Sequence, residues 1–244
     1  MIKWNKKFEY PASIRSSIEG KRHYEITGQK LPSVTTILSA TQSPEKKAKL
    51  EEWKKRVGTQ QADRIRDVSA MRGTAMHTYL EGYILGENHL DLTSIGQEAG
   101  KMANVVIQSG LKDLEEVWGS EVTLYYPGLY AGATDVVGIY DGKESIIDFK
   151  QTNRPKQREW IGDYFVQLAA YAMAHNHVYG TKIQNGVILM CSKDCFFQKF
   201  EVSDKEFKGY MHEFLRRVDE YYKIVPIVPT GEQGSGTKNE AKDE

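Results

Sequence analysis

Hydrophobic positions along the chain switch between two periods, and the switches mark out its elements. From Leu31 to Leu38 the spacing of Val34, Ile37 and Leu38 predicts a short helix with Ser33 as its N-cap. Ser43-Pro44 opens a second helix, with Pro44 in its first turn. Gln60 to Gly86 reads as mostly helical, with Gly73, His77, Leu80, Glu81 and Ile84 along one side. Ser94 to Leu114 is the next helical run, with Met102, Val105, Val106 and Leu111 as its apolar stripe. Val117 to Tyr126 then changes to period two, and turns at Pro127-Gly128 and Asp141-Gly142 bound two more strands, Tyr130–Tyr140 and Glu144–Gln151. These three strands form a meander. A polar loop, Gln151 to Arg158, leads to a long helix, Trp160 to Tyr179, with Phe165, Leu168, Ala169, Ala172 and Met173 at helical spacing. Gly186–Cys191 and Phe196–Val202 are short strands, and Ser203 caps a last amphipathic helix over Asp204 to Tyr222.

Helices, then three strands, a crossover helix, two strands and a helix imply an α/β core: a central mixed sheet flanked by helices, preceded by a helical N-terminal segment. The first thirty residues read as irregular or weakly β, with turns at Gly20 and Gly28. The organisation divides into a mostly helical basic segment (1–72), a core (73–228) and a tail (229–244) whose composition predicts disorder.

Charge changes this picture in one respect. The chain is neutral overall, but residues 1–58 hold thirteen Lys and Arg against six Asp and Glu, a net +7 balanced by −7 in the remainder. A basic front on a neutral chain suits a polyanionic partner touched by one region, although a solvated helix face accounts for the charge equally well. In the second helix, Lys46, Lys47, Lys49, Lys54, Lys55 and Arg56 surround Leu50 and Trp53; cations beside a ring are what a single-stranded nucleic acid groove uses. Trp53 is equally readable as that helix's core anchor. No apolar run approaches a membrane span, and the N-terminus carries no secretory or organelle-targeting pattern, which points to a cytoplasmic setting. Two cysteines suit a reducing compartment.

The candidate chemistry sits on the Asp141-Gly142 hairpin. Asp135 lies in its first strand, and Asp148 and Lys150 lie two apart, on one face, in its second. Asp148 is embedded in Ile146-Ile147-Asp148-Phe149, which reads as a buried strand, where a carboxylate needs a metal or an ion pair. Pairing with Lys150 alone is the rival to a metal role. His77 reads singly as a satisfied helix histidine. Gln167 and Tyr171, four apart, share a helix face outside the apolar stripe. Glu121 is a possible further acid that reads first as a strand-edge residue, and Glu81 is another on the His77 face.

Taken in order, Gly73-Thr-Ala-Met-His77, Gly132-Ala-Thr-Asp135, Ile147-Asp-Phe-Lys150 and Gln167-Leu-Ala-Ala-Tyr171 resemble the motifs of the PD-(D/E)XK nuclease superfamily, in its RecB-like branch. Pro32-Ser-Val-Thr-Thr-Ile-Leu38 and Asp148–Lys156 extend the resemblance to exonucleases of the mitochondrial genome maintenance type and their phage and bacterial relatives, over roughly Leu31 to Tyr222. The resemblance implies a restriction-endonuclease-like core and a Mg²⁺- or Mn²⁺-dependent DNA exonuclease serving replication, recombination or repair. Its substrate would be single-stranded DNA, digested from an end, in a bacterial or phage-infected cell. His77, Asp135 and Asp148 would hold one or two ions, with the Phe149 carbonyl as a further ligand. Lys150 would orient or activate the attacking water, Gln167 and Tyr171 would position the strand or the catalytic lysine, and the helices of residues 31–72 would help form an arch or channel around the strand. Thr152, Asn153, Lys156, Lys54 and Lys55 are candidate phosphate contacts. Cys191 and Cys195 exclude a four-cysteine iron–sulfur cluster within one chain. The competing readings are a structure-specific or restriction-like endonuclease and a non-catalytic nucleic-acid-binding module.

Overall fold

A computed structural model of the chain describes residues 2–225, so the predicted tail lies outside the described residues. The elements run β1 (Lys3–Trp4), β2 (Ser13–Ile18), β3 (Lys21–Ile26), β4 (Gln29–Pro32), α1 (Val34–Ala40), α2 (Pro44–Val57), α3 (Thr59–Leu85) and α4 (Ser94–Ser109). They continue as β5 (Leu114–Tyr126), β6 (Tyr130–Tyr140), β7 (Lys143–Thr152), α5 (Gly162–Tyr179), β8 (Asn185–Ser192), β9 (Phe197–Ser203) and α6 (Asp204–Ile224). The main sheet is mixed, in the order β1-β5-β6-β7-β8-β9, and α5 is the crossover that makes β7 and β8 parallel.

Both faces of this sheet are covered. Ile146 and Val137 belong to one core with Phe165, Leu168 and Phe214, from α5 and α6. Their chain neighbours Ile147 and Val136 belong to the opposite core with Met76, Leu80 and Met102, from α3 and α4. Strand alternation therefore feeds two cores, which is why β7 and β8 read as nearly continuous apolar runs. The three layers match the predicted α/β architecture.

The N-terminal region differs from the expectation. Residues 13–32, read as irregular or weakly β, form a regular three-stranded antiparallel sheet, β2-β3-β4. Its turns, Glu19-Gly20 and Thr27-Gly28, hold both residues at positive φ, the geometry a two-residue hairpin needs. Tyr24, Ile26 and Leu31 pack it onto Ala131 and Tyr125 of the β5–β6 hairpin. The helical part begins only at Val34, and a boundary at residue 72 falls inside the continuous helix α3. No residue of α2 is buried, so Trp53 is not a core anchor. Ser33 and Ser43 cap α1 and α2 through Thr36 and Lys46 N–H, but Ser203 makes no capping bond to α6. Its hydroxyl donates to the Asp204 carboxylate, 3.1 Å away, and Asp204 itself takes positive φ.

One buried base stands apart from the sheet's open end. His175 on α5 is fully buried, with Nε2 3.1 Å from Tyr10 Oη and Nδ1 2.8 Å from Thr181 Oγ1. Burial, and then the nearby Lys7 charge, lower its pKa to about 4. The unfolded chain therefore binds this proton first as pH falls from its ordinary value of about 6.5, and stability drains away through pH 4. The full loss is on the order of 3 kcal/mol. Urea unfolding at pH 7 and pH 4 should show a smaller pH-dependent loss for His175→Gln than for the wild type. Equal losses in the two proteins would remove His175 as the cause.

Candidate active site

The β6–β7 hairpin carries the predicted Asp141-Gly142 turn, with both residues at positive φ. Its ladder, however, runs only from Tyr140↔Lys143 to Val136↔Ile147. Beyond that point the two strands part, although the sequence suggests continuous pairing. The freed Phe149 peptide must find other partners. Asp135 Oδ2 accepts its N–H at 2.6 Å, and His77 Nε2 lies 3.0 Å from its carbonyl. The open end of the hairpin is thus stitched by the side chains that the motifs single out.

This arrangement orients His77. The carbonyl can only accept, so Nε2 carries the hydrogen and Nδ1 faces the acids. Nδ1 lies 3.4 Å from Asp135 Oδ1 and 3.9 Å from Glu121 Oε1. Ligand atoms of His77, Glu121 and Asp135 all lie within 4.8 Å of one another. A histidine whose second nitrogen donates to a backbone carbonyl is the usual posture of a metal-binding imidazole. Burial pushes the His77 pKa down, but Asp135, and then Glu121, pull it up to about 10. Burial likewise raises the Asp135 carboxyl; His77, Lys150 and the Phe149 N–H outweigh it, and its pKa ends below the ordinary value.

Asp148 and Lys150 stand beside this cluster. Asp148 is only 3% exposed. Its Oδ2 touches Lys150 Nζ as an ion pair, yet no hydrogen bond of good geometry reaches that oxygen. Burial raises the Asp148 pKa to about 6, with Lys150 opposing and Asp135 adding to the rise. Lys150 is partly buried, which lowers its pKa; Asp148, and then Asp135, outweigh this and raise it. Its Nζ sits 5.1 Å from the Tyr164 ring centroid, a cation–π distance. On the same wall, Gln167 Nε2 donates to Tyr171 Oη at 2.9 Å. A Cβ on Gly132 would fall 2.7 Å from the Tyr171 ring, so the glycine of Gly132-Ala-Thr-Asp135 leaves room for that tyrosine.

His77, Asp135, Asp148, Lys150, Gln167 and Tyr171 all line one open cavity of about 600 Å³, together with Glu81 and Glu121. Burial, and then the charge of Glu121, raise the Glu81 pKa. Glu121 departs most from its expected strand-edge place. It takes positive φ within β5, where the pairs Ser120↔Val136 and Val122↔Thr134 set it opposite Asp135. Backbone of this kind in a non-glycine residue is costly and tends to persist where a side chain must be aimed. The Phe149 carbonyl accepts one hydrogen bond from His77.

The proposed outer phosphate contacts are not brought to this cavity. Thr152 is buried and donates to the Arg154 carbonyl. Asn153 is held by Arg72 and Ser69. Lys156 exchanges two backbone hydrogen bonds with the Gln198 amide. On α2, Lys54 pairs with Glu51, and neither Lys54 nor Lys55 lines the cavity. Instead the small N-terminal sheet supplies Arg15, Arg22 and Tyr24 to the wall, and the α1 entry supplies Ser33 and Thr35. The sequence offered a hint of this in its two glycine turns.

No family model matches the chain. It is 28% identical over 228 residues to Mitochondrial genome maintenance exonuclease 1 of Xenopus tropicalis, covering 89% of this chain and 64% of that protein. It is 30% identical over 200 residues to the Mus musculus protein of the same name, covering 78% of this chain and 59% of that one. The chain thus spans less than two thirds of the length of the curated relatives it matches. A phage-related exonuclease of Haemophilus somnus superposes at TM-score 0.37 with 13% identity, over 65% of this chain and 81% of that one. A likeness that distant carries no argument. The sequence relatives agree with the exonuclease resemblance read from the four motifs. No helix among the described residues is long and apolar enough to cross a membrane.

Proposed function

We propose that this chain, similar over most of its length to exonucleases, is itself a divalent-metal-dependent deoxyribonuclease that digests single-stranded DNA from an end. A role in replication, recombination or repair goes with that activity. The observation that carries the reading is convergence: α3, β5, β6 and β7 bring His77, Glu121, Asp135, Asp148 and Lys150 to one cavity. Two features fit a bound cation. Ligand atoms of His77, Glu121 and Asp135 already cluster, and the Asp148 carboxylate lines the same cavity. His77 through Nδ1, Glu121, Asp135 and Asp148 would hold Mg²⁺ or Mn²⁺. A divalent ion there would lower the pKa of water and neutralise charge on the phosphate.

The protein's own groups do the rest. Asp148 holds Lys150 in place and Tyr164 bounds its approach, so the ammonium faces the cavity with donors to spare. There it orients the attacking water and stabilises the negative charge that grows on the phosphate oxygens. The Phe149 carbonyl fixes the His77 ring. Gln167 and Tyr171 place the strand against these groups, and partial enclosure strengthens each interaction.

The test is digestion of an end-labelled single strand with Mg²⁺ or Mn²⁺, beside a circular strand of the same sequence. The linear strand should be degraded progressively and the circle spared. Rapid cutting of the circle would make the chain an endonuclease. Tight binding with no cleavage under either metal would make it a binding module.

A further inference from the structure

The catalytic cavity has an anionic floor: Glu81, Glu121, Asp135 and Asp148 all line it. A polyphosphate strand approaching these four acids needs more positive charge than Lys150, itself paired with Asp148, supplies. The compensating charge stands across the cavity, on the β2–β3 hairpin. The pairs Arg15↔Tyr24 and Ser17↔Arg22 place Arg15, Ser17, Arg22 and Tyr24 on one face of that hairpin. Tyr24 is buried against Ala131 and Tyr125, which fixes the face toward the active centre. The Arg22 carbonyl accepts hydrogen bonds of 2.9 Å from Ser33 N–H and Thr36 Oγ1, locking the hairpin to the start of α1. Ser13 Oγ meets Thr123 Oγ1 at 2.7 Å, locking it to β5. The backbone is thus rigidly held while the two guanidinium groups remain exposed. Among the described residues, neither Arg15 nor Arg22 makes a side-chain hydrogen bond or ion pair.

A second concavity of about 550 Å³ lies on the far side of the same arginines. It shares Arg15, Arg22 and Thr35 with the catalytic cavity and adds Lys21, Ser17 and Ser39. It contributes a cation and hydroxyl groups and no carboxylate. The two hollows therefore share a wall of arginines, with acids in one and Lys21 in the other.

We infer that the β2–β3 hairpin is a wall of the substrate path: Arg15 and Arg22 bind backbone phosphates next to the one being cleaved, and the strand continues past Thr35 into the Lys21 hollow. The recognised chemistry is the phosphodiester backbone of a single strand. Guanidinium groups suit it because their fork matches phosphate oxygens. This inference rests on the nuclease reading. It assigns strand binding to the small sheet, and not to α2 or to the loop after β7.

The experiment compares wild type with Arg15→Gln/Arg22→Gln. Lys205→Gln/Lys208→Gln on α6, two exposed lysines that line neither hollow, is the matched charge control. Binding of a labelled oligodeoxythymidylate is measured with Ca²⁺ replacing the active metal, across a salt series. Loss of two phosphate contacts should flatten the slope of log affinity against log salt by about 1.4. KM for the oligonucleotide should rise at least roughly tenfold, since these contacts serve binding more than chemistry. An unchanged slope and KM in the arginine pair, or an equal loss in the α6 control, would overturn the inference while a wild type that still cleaves DNA leaves the nuclease reading standing. A wild type that neither binds nor cleaves would defeat that reading first.

Discussion

Lys150→Met should lower single-turnover cleavage by about 10²–10³-fold, the scale seen when one preorganised donor to a developing anion is removed. The reason lies in how the side chain is placed. Lys150 reaches the cavity from β7, two residues after Asp148, and pairs its partly exposed ammonium with that buried carboxylate. Asp148 is pushed up to about 6 by burial even with the ammonium against it. Taking the ammonium away leaves a carboxylate that resists ionising, so the variant loses a donor and weakens a ligand together. Breaking one half of a buried pair also costs stability, about 3–5 kcal/mol. A loss of activity could then reflect unfolding, and a second variant separates the two. Asp148→Asn/Lys150→Met removes both charges and should regain most of the lost stability by urea denaturation. It should remain inactive. A single variant that keeps more than a tenth of the wild-type rate, while folded, would show that Lys150 takes no part in the chemistry.

The parts of the fold that are legible in the sequence are those fixed locally. Asp141-Gly142 announces its own hairpin because few residues accept positive φ, and Ser43-Pro44 announces a helix start. The four-residue spacing of Gln167 and Tyr171 places both on one helical face whatever that helix packs against. The two acids and the lysine stand out because charged groups at period-two spacing in a buried strand must be paired with each other or with a metal.

The features hidden in the sequence depend on relations between distant segments. The parting of β6 from β7 beyond Val136 has no local mark, since the residues there suit paired strands. Glu121 could have been placed by counting back from the Pro127-Gly128 turn, which sets it opposite Asp135. Its positive φ could not, because nothing in a glutamate signals that conformation. Residues 13–32 read as weakly β because Ile14 and Ile18 on β2 are exposed and its apolar alternation leads nowhere; the buried partners, Tyr24, Ile26 and Leu31, lie on the next two strands. The lysines of α2 drew attention by number, whereas the cavity draws its arginines from a segment with fewer charges.

A second large effect is expected from Gly138→Ala, which should destabilise the chain by about 3 kcal/mol or more through forced backbone movement. Gly138 sits in the middle of β6, opposite Val117. A Cβ there would lie 1.9 Å from the Glu116 carbonyl oxygen and 3.0 Å from its carbon. Both atoms are backbone, so no side-chain rotation can relieve the overlap. The neighbourhood is already irregular, with register shifts between Leu114 and Glu116 and between Val117 and Gly119. A strand glycine beside bulges of this kind marks a close approach of chains. For a domain of this size the loss corresponds to a fall in Tm of roughly 10 °C. Gly209→Ala on α6 is the contrast: a Cβ there meets nothing within 4 Å, and alanine in a helix interior should raise stability by about 0.5–1 kcal/mol. Thermal unfolding of the two variants should therefore move in opposite directions. The damage at Gly138 should spare the chemistry, because Glu121 and Asp135 lie on the turn side of both register shifts, where β5 and β6 pair regularly down to Tyr126↔Tyr130. Cleavage per folded molecule, measured well below the lowered Tm, should match the wild type. A Gly138→Ala protein that melts with the wild type would mean that the Glu116 peptide can move aside, and that β5 is held less tightly against β6 than its pairing indicates.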